Sequence, residues 1–252
     1  MLVNCVFSGN HADFAAAVHN HVSNTSLFNC TISGNAARAC GGVASWYSDP
    51  VLKNTILWGN WDQDGSAQTA QIKNTSGSAS VDYCCIQGWT GSLGGTGNSG
   101  DNPLLVHPDG PDGLLGTLDD DLRVRSGSPV IDHGLTSAVP VDLADIDGDG
   151  DTAEPLPVDI RGLPRVLGSA VDIGAYEYRS PVPGDFDGDG DVDQSDFGHM
   201  QACLSGSGNA QNDPACQDAK LDGDDSVSDT DMSVFLGCFS GPGVLGDPNC
   251  AN

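Results

Sequence analysis

Apolar and polar residues along this chain recur in blocks. Asn4-Cys5-Val6-Phe7-Ser8-Gly9-Asn10 returns as Asn29-Cys30-Thr31-Ile32-Ser33-Gly34-Asn35, and again as Asn54-Thr55-Ile56-Leu57-Trp58-Gly59-Asn60, at steps of 25 residues. A worn copy, Tyr83-Cys84-Cys85-Ile86-Gln87-Gly88, follows 29 residues on. The stretches between keep register too, since Val18 falls on Val43 and Leu27 on Leu52. A period of this length marks a stacked repeat. Runs such as Leu27-Phe28-Asn29-Cys30-Thr31-Ile32 are short and β-prone, and they end in Ser-Gly-Asn, which tolerates positive φ. No segment here has the helical periodicity of a helical repeat or the leucine pattern of a leucine-rich one. The pattern predicts a mainly β chain: right-handed parallel β-helix coils over residues 1–95, each turn burying its apolar face on the next.

Equivalent residues of successive coils lie about 4.8 Å apart. The Asn4/Asn29/Asn54 column is therefore expected to hydrogen-bond along the axis, with Cys5 and Cys30 stacked as reduced core thiols. With Val18 and Val43 inward, alternation places His19, His21 and Trp46 on an outer face, with Asp13 and Asp49 near its ends. An exposed aromatic beside titratable groups is the chemistry of a glycan contact. Glycoside hydrolysis needs two facing carboxylates. The cations of this stretch, Arg38, Lys53 and Lys73, form no motif, so no catalytic residue is assigned.

After Gly88 the periodicity fades into a Gly/Asp/Pro-rich stretch, residues 96–180, read as the region that closes the β-helix. Asp145-Ile146-Asp147-Gly148-Asp149-Gly150-Asp151 sets carboxylates on alternate residues, the pattern of a calcium loop. Asp145, Asp147, Asp149 and Asp151 are its candidate ligands, while Pro155 and Pro157 forbid an EF-hand exit helix. A second acidic cluster, Asp109 to Asp121, is less regular. The succession Asp101-Asn102-Pro103-Leu104-Leu105, Ser126-Gly127-Ser128-Pro129-Val130-Ile131-Asp132 and Val171-Asp172-Ile173-Gly174-Ala175-Tyr176-Glu177-Tyr178 resembles the choice-of-anchor Q family of exported β-helix proteins. That resemblance implies a pectate-lyase-like fold followed by an anchoring module, and it brings no catalytic residues with it.

Pro181-Val182-Pro183-Gly184 reads as a linker, and 185–252 as a separate small helical module. Against a 12-residue EF-type loop, Asp185, Asp187, Asp189, Asp193 and Asp196 occupy positions 1, 3, 5, 9 and 12. Gly190 is at the turn, Val192 at position 8, and Asp191 at position 7 offers its carbonyl. A second copy lies 35 residues on, with Asp222, Asp224, Ser226 and Asp231 as candidate ligands. Lys220 at position 1 and Asp225 in place of the glycine weaken it: the ammonium takes part of the cation's place and the turn is strained. The first loop is expected to bind Ca²⁺ tightly and the second weakly or not at all. The cysteines repeat with the loops. Of three possible pairings, the duplicated spacing favours Cys203–Cys216 and Cys238–Cys250. Paired Asp-rich loops with Asp at position 12 and matching helices resemble dockerin type I repeats, non-catalytic plugs that bind cohesin domains. By that resemblance Gln194, Ser195, Asp229 and Thr230 would contact the partner.

Composition narrows the partners. Nine Lys and Arg stand against 35 Asp and Glu, a net charge of −26, which disfavours nucleic acid and suits oxygen-ligated cations. Nine cysteines without a zinc spacing point to disulfides and an oxidising compartment, extracellular or at the cell surface. No run of 18 apolar residues is present to span a membrane. Met1 falls inside a repeat and no signal peptide follows it, so the chain reads as the C-terminal piece of a longer exported protein. The expected function is non-catalytic: a calcium-stabilised anchoring module on a β-helix scaffold. The alternative is a polysaccharide lyase or glycoside hydrolase delivered by that module.

Overall fold

The computed structural model describes residues 1–251. The chain divides between Tyr178 and Arg179 into two compact units. In the first, short parallel strands stack at the spacing of the sequence repeat. Leu2–Val3, Ser26–Phe28, Val51–Lys53 and Ser80–Asp82 form one sheet. Val6–Ser8, Thr31–Ser33, Ile56–Trp58 and Cys85–Ile86 form a second, and Val18–His21, Val43–Trp46 and Ile72–Thr75 a third. Leu27 pairs with both Leu2 and Leu52, and Val43 with both Val18 and Ile72, so the register is that of the repeat. The result is a parallel β-solenoid of about three turns. Leu27, Ile32, Val43, Leu52, Leu57 and Ile86 are fully buried along its axis. The longer step to the last copy is taken up by one helical turn, α1 (Gln68–Gln71), which leads into the strand Ile72–Thr75.

Two asparagine columns hold the corners. Asn10 donates through Nδ2 to Asn35 Oδ1, Asn35 to Asn60 Oδ1 and Asn60 to Gln71 Oε1, each at 2.8 Å. This continuous ladder was present in the repeat but not singled out from it. The Asn4/Asn29/Asn54 column is interrupted. Its three residues share a left-handed φ of 49–50°. Asn54 donates to Asn29 Oδ1 at 3.0 Å, but Asn4 turns to the carbonyl of Val158 at 2.7 Å. Asn35→Ala is expected to cost about 1–3 kcal/mol, because it strips the buried Asn60 amide oxygen and the buried chain around it of their donor. Asn4→Ala, at the half-buried end, should cost less; urea midpoints of the two variants compare them. The thiols of Cys5, Cys30, Cys40, Cys84 and Cys85 are all free. Burial pushes those of Cys40, Cys84 and Cys85 up to about 12, which keeps them protonated and unreactive.

The region from 96 to 178 runs along the side of the turns instead of only covering an end. Gly174 donates its N–H to Asn54 O, Leu135 its N–H to Asn54 Oδ1, and Ala175 its N–H to Thr31 Oγ1. Gly174 has φ +117°, and a Cβ there would come within 2.8 Å of Ile56 Cδ1, so glycine is required. Beneath this strap lies a buried charge network. Arg165 donates through Nη2 to the carbonyls of Asp172 and Gly174, both at 2.8 Å, with Glu177 Oε2 4.0 Å from Nη1. Asp172 accepts the N–H groups of Asp132 and Tyr178, Glu177 those of Leu167 and Asp172, and Asp159 those of Arg161, Leu163 and Glu177. These carboxylates hold the irregular chain where a sheet ladder would otherwise do so.

The second unit carries α2 (Gln194–Cys203) and α3 (Asp229–Cys238), each entered through a capping box, from Asp193 and Ser228. Val182, Val192, Met200, Ala219, Val227 and Phe235 form its core. The 181–184 segment, expected as a linker, belongs to this unit, since Val182 is buried there. Disulfides join Cys203 to Cys216 and Cys238 to Cys250. Among the described residues no helix is long and apolar enough to cross a membrane.

Candidate metal centre

The duplication inside the second unit sets the geometry of its acidic loops. Val192 N–H donates to Ser240 Oγ at 3.0 Å, and Val192 O accepts the N–H groups of Ser240 and Gly241. Val227 N–H donates to Ser205 Oγ at 3.0 Å, and Val227 O accepts from Ser205 and Gly206. Each loop is thus pinned at its eighth residue by the Ser-Gly that follows the other copy's helix. The pins were legible only as a repeated Cys-x-Ser-Gly, with no role attached to the serine.

In the first loop, Asp185 accepts the N–H groups of Gly188 and Gly190, and Gly190 turns at φ +100°. Alternate carboxylates then fold inward. Asp185, Asp187 and Asp196 bring ligand oxygens within 4.8 Å of one another, and Asp191, Asp193 and Asp196 form a second such group. Asp196 is buried at the start of α2, where it accepts from the N–H groups of Phe186 and Asp193. Asp189 lies outside both triads and caps the N–H of Asp191. Asp191 accepts the Gly243 N–H on one oxygen, while its Oδ1 is buried and has no hydrogen-bond partner. Burial pushes the carboxyls of Asp185, Asp187 and Asp191 up, and the neighbouring aspartates add to the shift. A crowded carboxylate set with an orphaned buried oxygen fits a hard cation bound through oxygen.

The second loop departs from the first. Asp222, Asp224 and Asp231 still bring oxygens within 4.8 Å of one another. Lys220 does not reach them; its Nζ donates to Gln217 Oε1 at 2.9 Å, so the ammonium takes no part of a cation's place. Asp225 is not among the residues with left-handed backbone, so the loop is rebuilt at that position and the expected strain is absent. Ser226 donates to Asp224 Oδ1, and Thr230 Oγ1 donates to Asp222 Oδ2 at 2.5 Å, which lowers the Asp222 carboxyl. Hydroxyl donors thus satisfy carboxylate oxygens of this loop. Gln194, Ser195, Asp229 and Thr230 are all exposed at the starts of the two helices.

No protein family, curated protein or solved structure matches this chain.

The remaining sequence candidates lie in the first unit. His19, His21 and Trp46 come together on the outer face of the third sheet, with ring centroids of Trp46 6.1 Å from His19 and 6.5 Å from His21. Phe14, missed in the sequence because it lies outside the strands, packs on Trp46 at 4.7 Å. Beside this cluster, His11, Asp13, Arg38, Trp61 and Asp62 line a groove of about 280 Å³. In the 145–151 loop, Asp145, Asp147 and Asp149 converge within 4.8 Å, whereas Asp151 turns away to cap the N–H of Ala153.

Proposed function

We propose that residues 179–252 are a dockerin-like, calcium-binding anchoring module carried by a β-helix scaffold of the choice-of-anchor Q kind, and that the protein is non-catalytic and works outside the cell or at its surface. The observation that carries this reading is the buried, partnerless Asp191 Oδ1 in a carboxylate triad that shares Asp196 with a second triad, Asp185, Asp187 and Asp196. The Asp-rich loop leads through a capping box into α2, and the same plan recurs at α3. Calcium would be held by Asp185, Asp187, Asp191, Asp193 and Asp196, supplying the positive charge that lets these carboxylates stay ionised together. Gln194, Ser195, Asp229 and Thr230 form the exposed helix starts offered to a cohesin-like partner. The two disulfides accord with an oxidising compartment.

Calorimetric titration of Ca²⁺ into the full chain should give a high-affinity site that Asp187→Ala removes. Unchanged calcium binding in Asp187→Ala would overturn the reading. A second reading rests on the Phe14, His19, His21 and Trp46 cluster, whose exposed rings suit the flat faces of a polysaccharide. In that reading the solenoid contacts a glycan and the module delivers it.

A further inference from the structure

Another acidic cluster lies in the first unit, and its composition is not the one the alternating-aspartate pattern suggests. The loop from 142 to 154 is closed at its base by an antiparallel bridge between Val141 and Pro155, with Asp142 N–H donating to Glu154 O at 2.8 Å and Leu156 N–H to Pro140 O at 2.8 Å. The base is anchored on the apolar cluster of Val139, Leu156 and Val171. This closure sets the side chains of Asp142 and Glu154 beside each other, facing Asp147 from the loop. Asp142, Asp147 and Glu154 bring ligand oxygens within 4.8 Å of one another.

Asp142 sets this cluster apart from an ordinary acidic turn. Its side chain is buried, with the residue only 1% exposed. One oxygen accepts the Ile146 N–H at 2.7 Å; the other, Oδ1, is shut off from solvent with no hydrogen-bond partner. Glu154 Oε1 is in the same condition. Two inaccessible carboxylate oxygens without donors, in a group of three acids, form a costly arrangement unless a cation joins them. The ion pairs of this unit, at Asp109, Asp121, Asp159 and Glu177, lie elsewhere. Burial raises the Glu154 carboxyl, and the charges of Asp149, Asp147, Asp151 and Asp142 raise it further.

We propose that Asp142, Asp147 and Glu154 form a divalent-cation site, of calcium chemistry, that locks the base of the 142–154 loop onto the β-solenoid unit. Asp145 and Asp149, which converge on Asp147 from the solvent side, complete the field around the ion. All-oxygen donors from an irregular loop favour Ca²⁺ over the smaller Mg²⁺, which demands stricter octahedral geometry. This site is independent of the loop at 185–196 and does not rest on the anchoring reading. The alternating-aspartate motif contributes only part of it. Asp142 and Glu154 lie outside that motif, and the chain closure brings them in.

The test uses the full chain in four forms: wild type, Asp187→Ala, Asp142→Asn, and the two substitutions together. Calcium is titrated calorimetrically into each, and the thermal unfolding of each is followed with and without Ca²⁺. Asp187→Ala should retain a calcium site, and Asp142→Asn introduced into it should weaken that site at least tenfold. Asp142→Asn alone should leave the site that depends on Asp187 intact. Glu154→Gln, which keeps the Asp142 hydrogen bond, should reproduce the loss if Asp142→Asn folds poorly. Asp187→Ala with no residual calcium binding would overturn the proposal while leaving the anchoring module in place. Residual binding that survives both Asp142→Asn and Glu154→Gln would overturn it as well. Calcium binding untouched by Asp187→Ala and lost in Asp142→Asn would support this site and sink the calcium loop at 185–196.

Discussion

Removal of both disulfides should unfold residues 179–252 in the absence of calcium while leaving the solenoid unit folded. Cys203–Cys216 closes a loop over a sequence separation of 13, and Cys238–Cys250 one over 12. On chain-entropy grounds each such loop is worth roughly 3 kcal/mol, so the pair is worth about 5–6 kcal/mol. The unit has one small core, and modules of this size rarely hold more than about 3–5 kcal/mol from burial alone. Serine at all four positions, followed by circular dichroism at the helical minimum in chelator, should show α2 and α3 lost. Saturating Ca²⁺ at about 100 times Kd should restore about 2.7 kcal/mol and recover part of the helical signal. A quadruple-serine protein with full helicity in chelator would mean that the core and caps suffice alone.

The second large effect is expected at Arg165. Its guanidinium is buried beneath the strap, donates to two carbonyls and is the cation nearest Glu177 and Asp172. Arg165→Met should destabilise the solenoid unit by about 3–5 kcal/mol, since it leaves buried carboxylates without their counter-charge. The penalty should depend on pH. Burial, aided by the Asp172 charge, raises the Glu177 carboxyl from an ordinary 4.5 to about 7. A carboxyl whose folded pKa is raised contributes stability that is fully present below its unfolded pKa and lost as pH rises through the folded value. Denaturant midpoints of the wild-type solenoid unit should therefore fall between pH 4.5 and 7. In Arg165→Met the fall should run on to higher pH, because ionised Glu177 then loses the buried guanidinium beside it. A fall that ends at the same pH in both proteins would remove Arg165 from the electrostatics of the strap.

The solenoid was legible because its apolar positions repeat in register: Leu27 and Leu52 had to stack once the period was seen, and they do. The disulfide pairs were legible for the same reason. What escaped the sequence was set by contacts distant along the chain. Asn4 leaves its column because Val158 offers a carbonyl 154 residues away. The strap landmarks around Asp132, Asp172 and Glu177 looked like family signatures, yet each carboxylate is a backbone clasp whose partners no local pattern reveals. The same holds for Asp142 and Glu154, which are paired by closure of their loop. In the second Asp-rich loop, Lys220 was expected beside the aspartates because it stands at position 1. The flexible side chain reaches Gln217 instead.

The crossed Ser-Gly pins in the second unit have one more consequence. Because Ser240 holds Val192 and Ser205 holds Val227, neither copy of the duplication owns all of its own supports. A half cut out alone lacks its clasp, however complete its loop and helix look in sequence. The duplication thus ties the two copies to each other, and the acidic residues of the second copy can differ from those of the first while Ser205 and Val227 keep its pin.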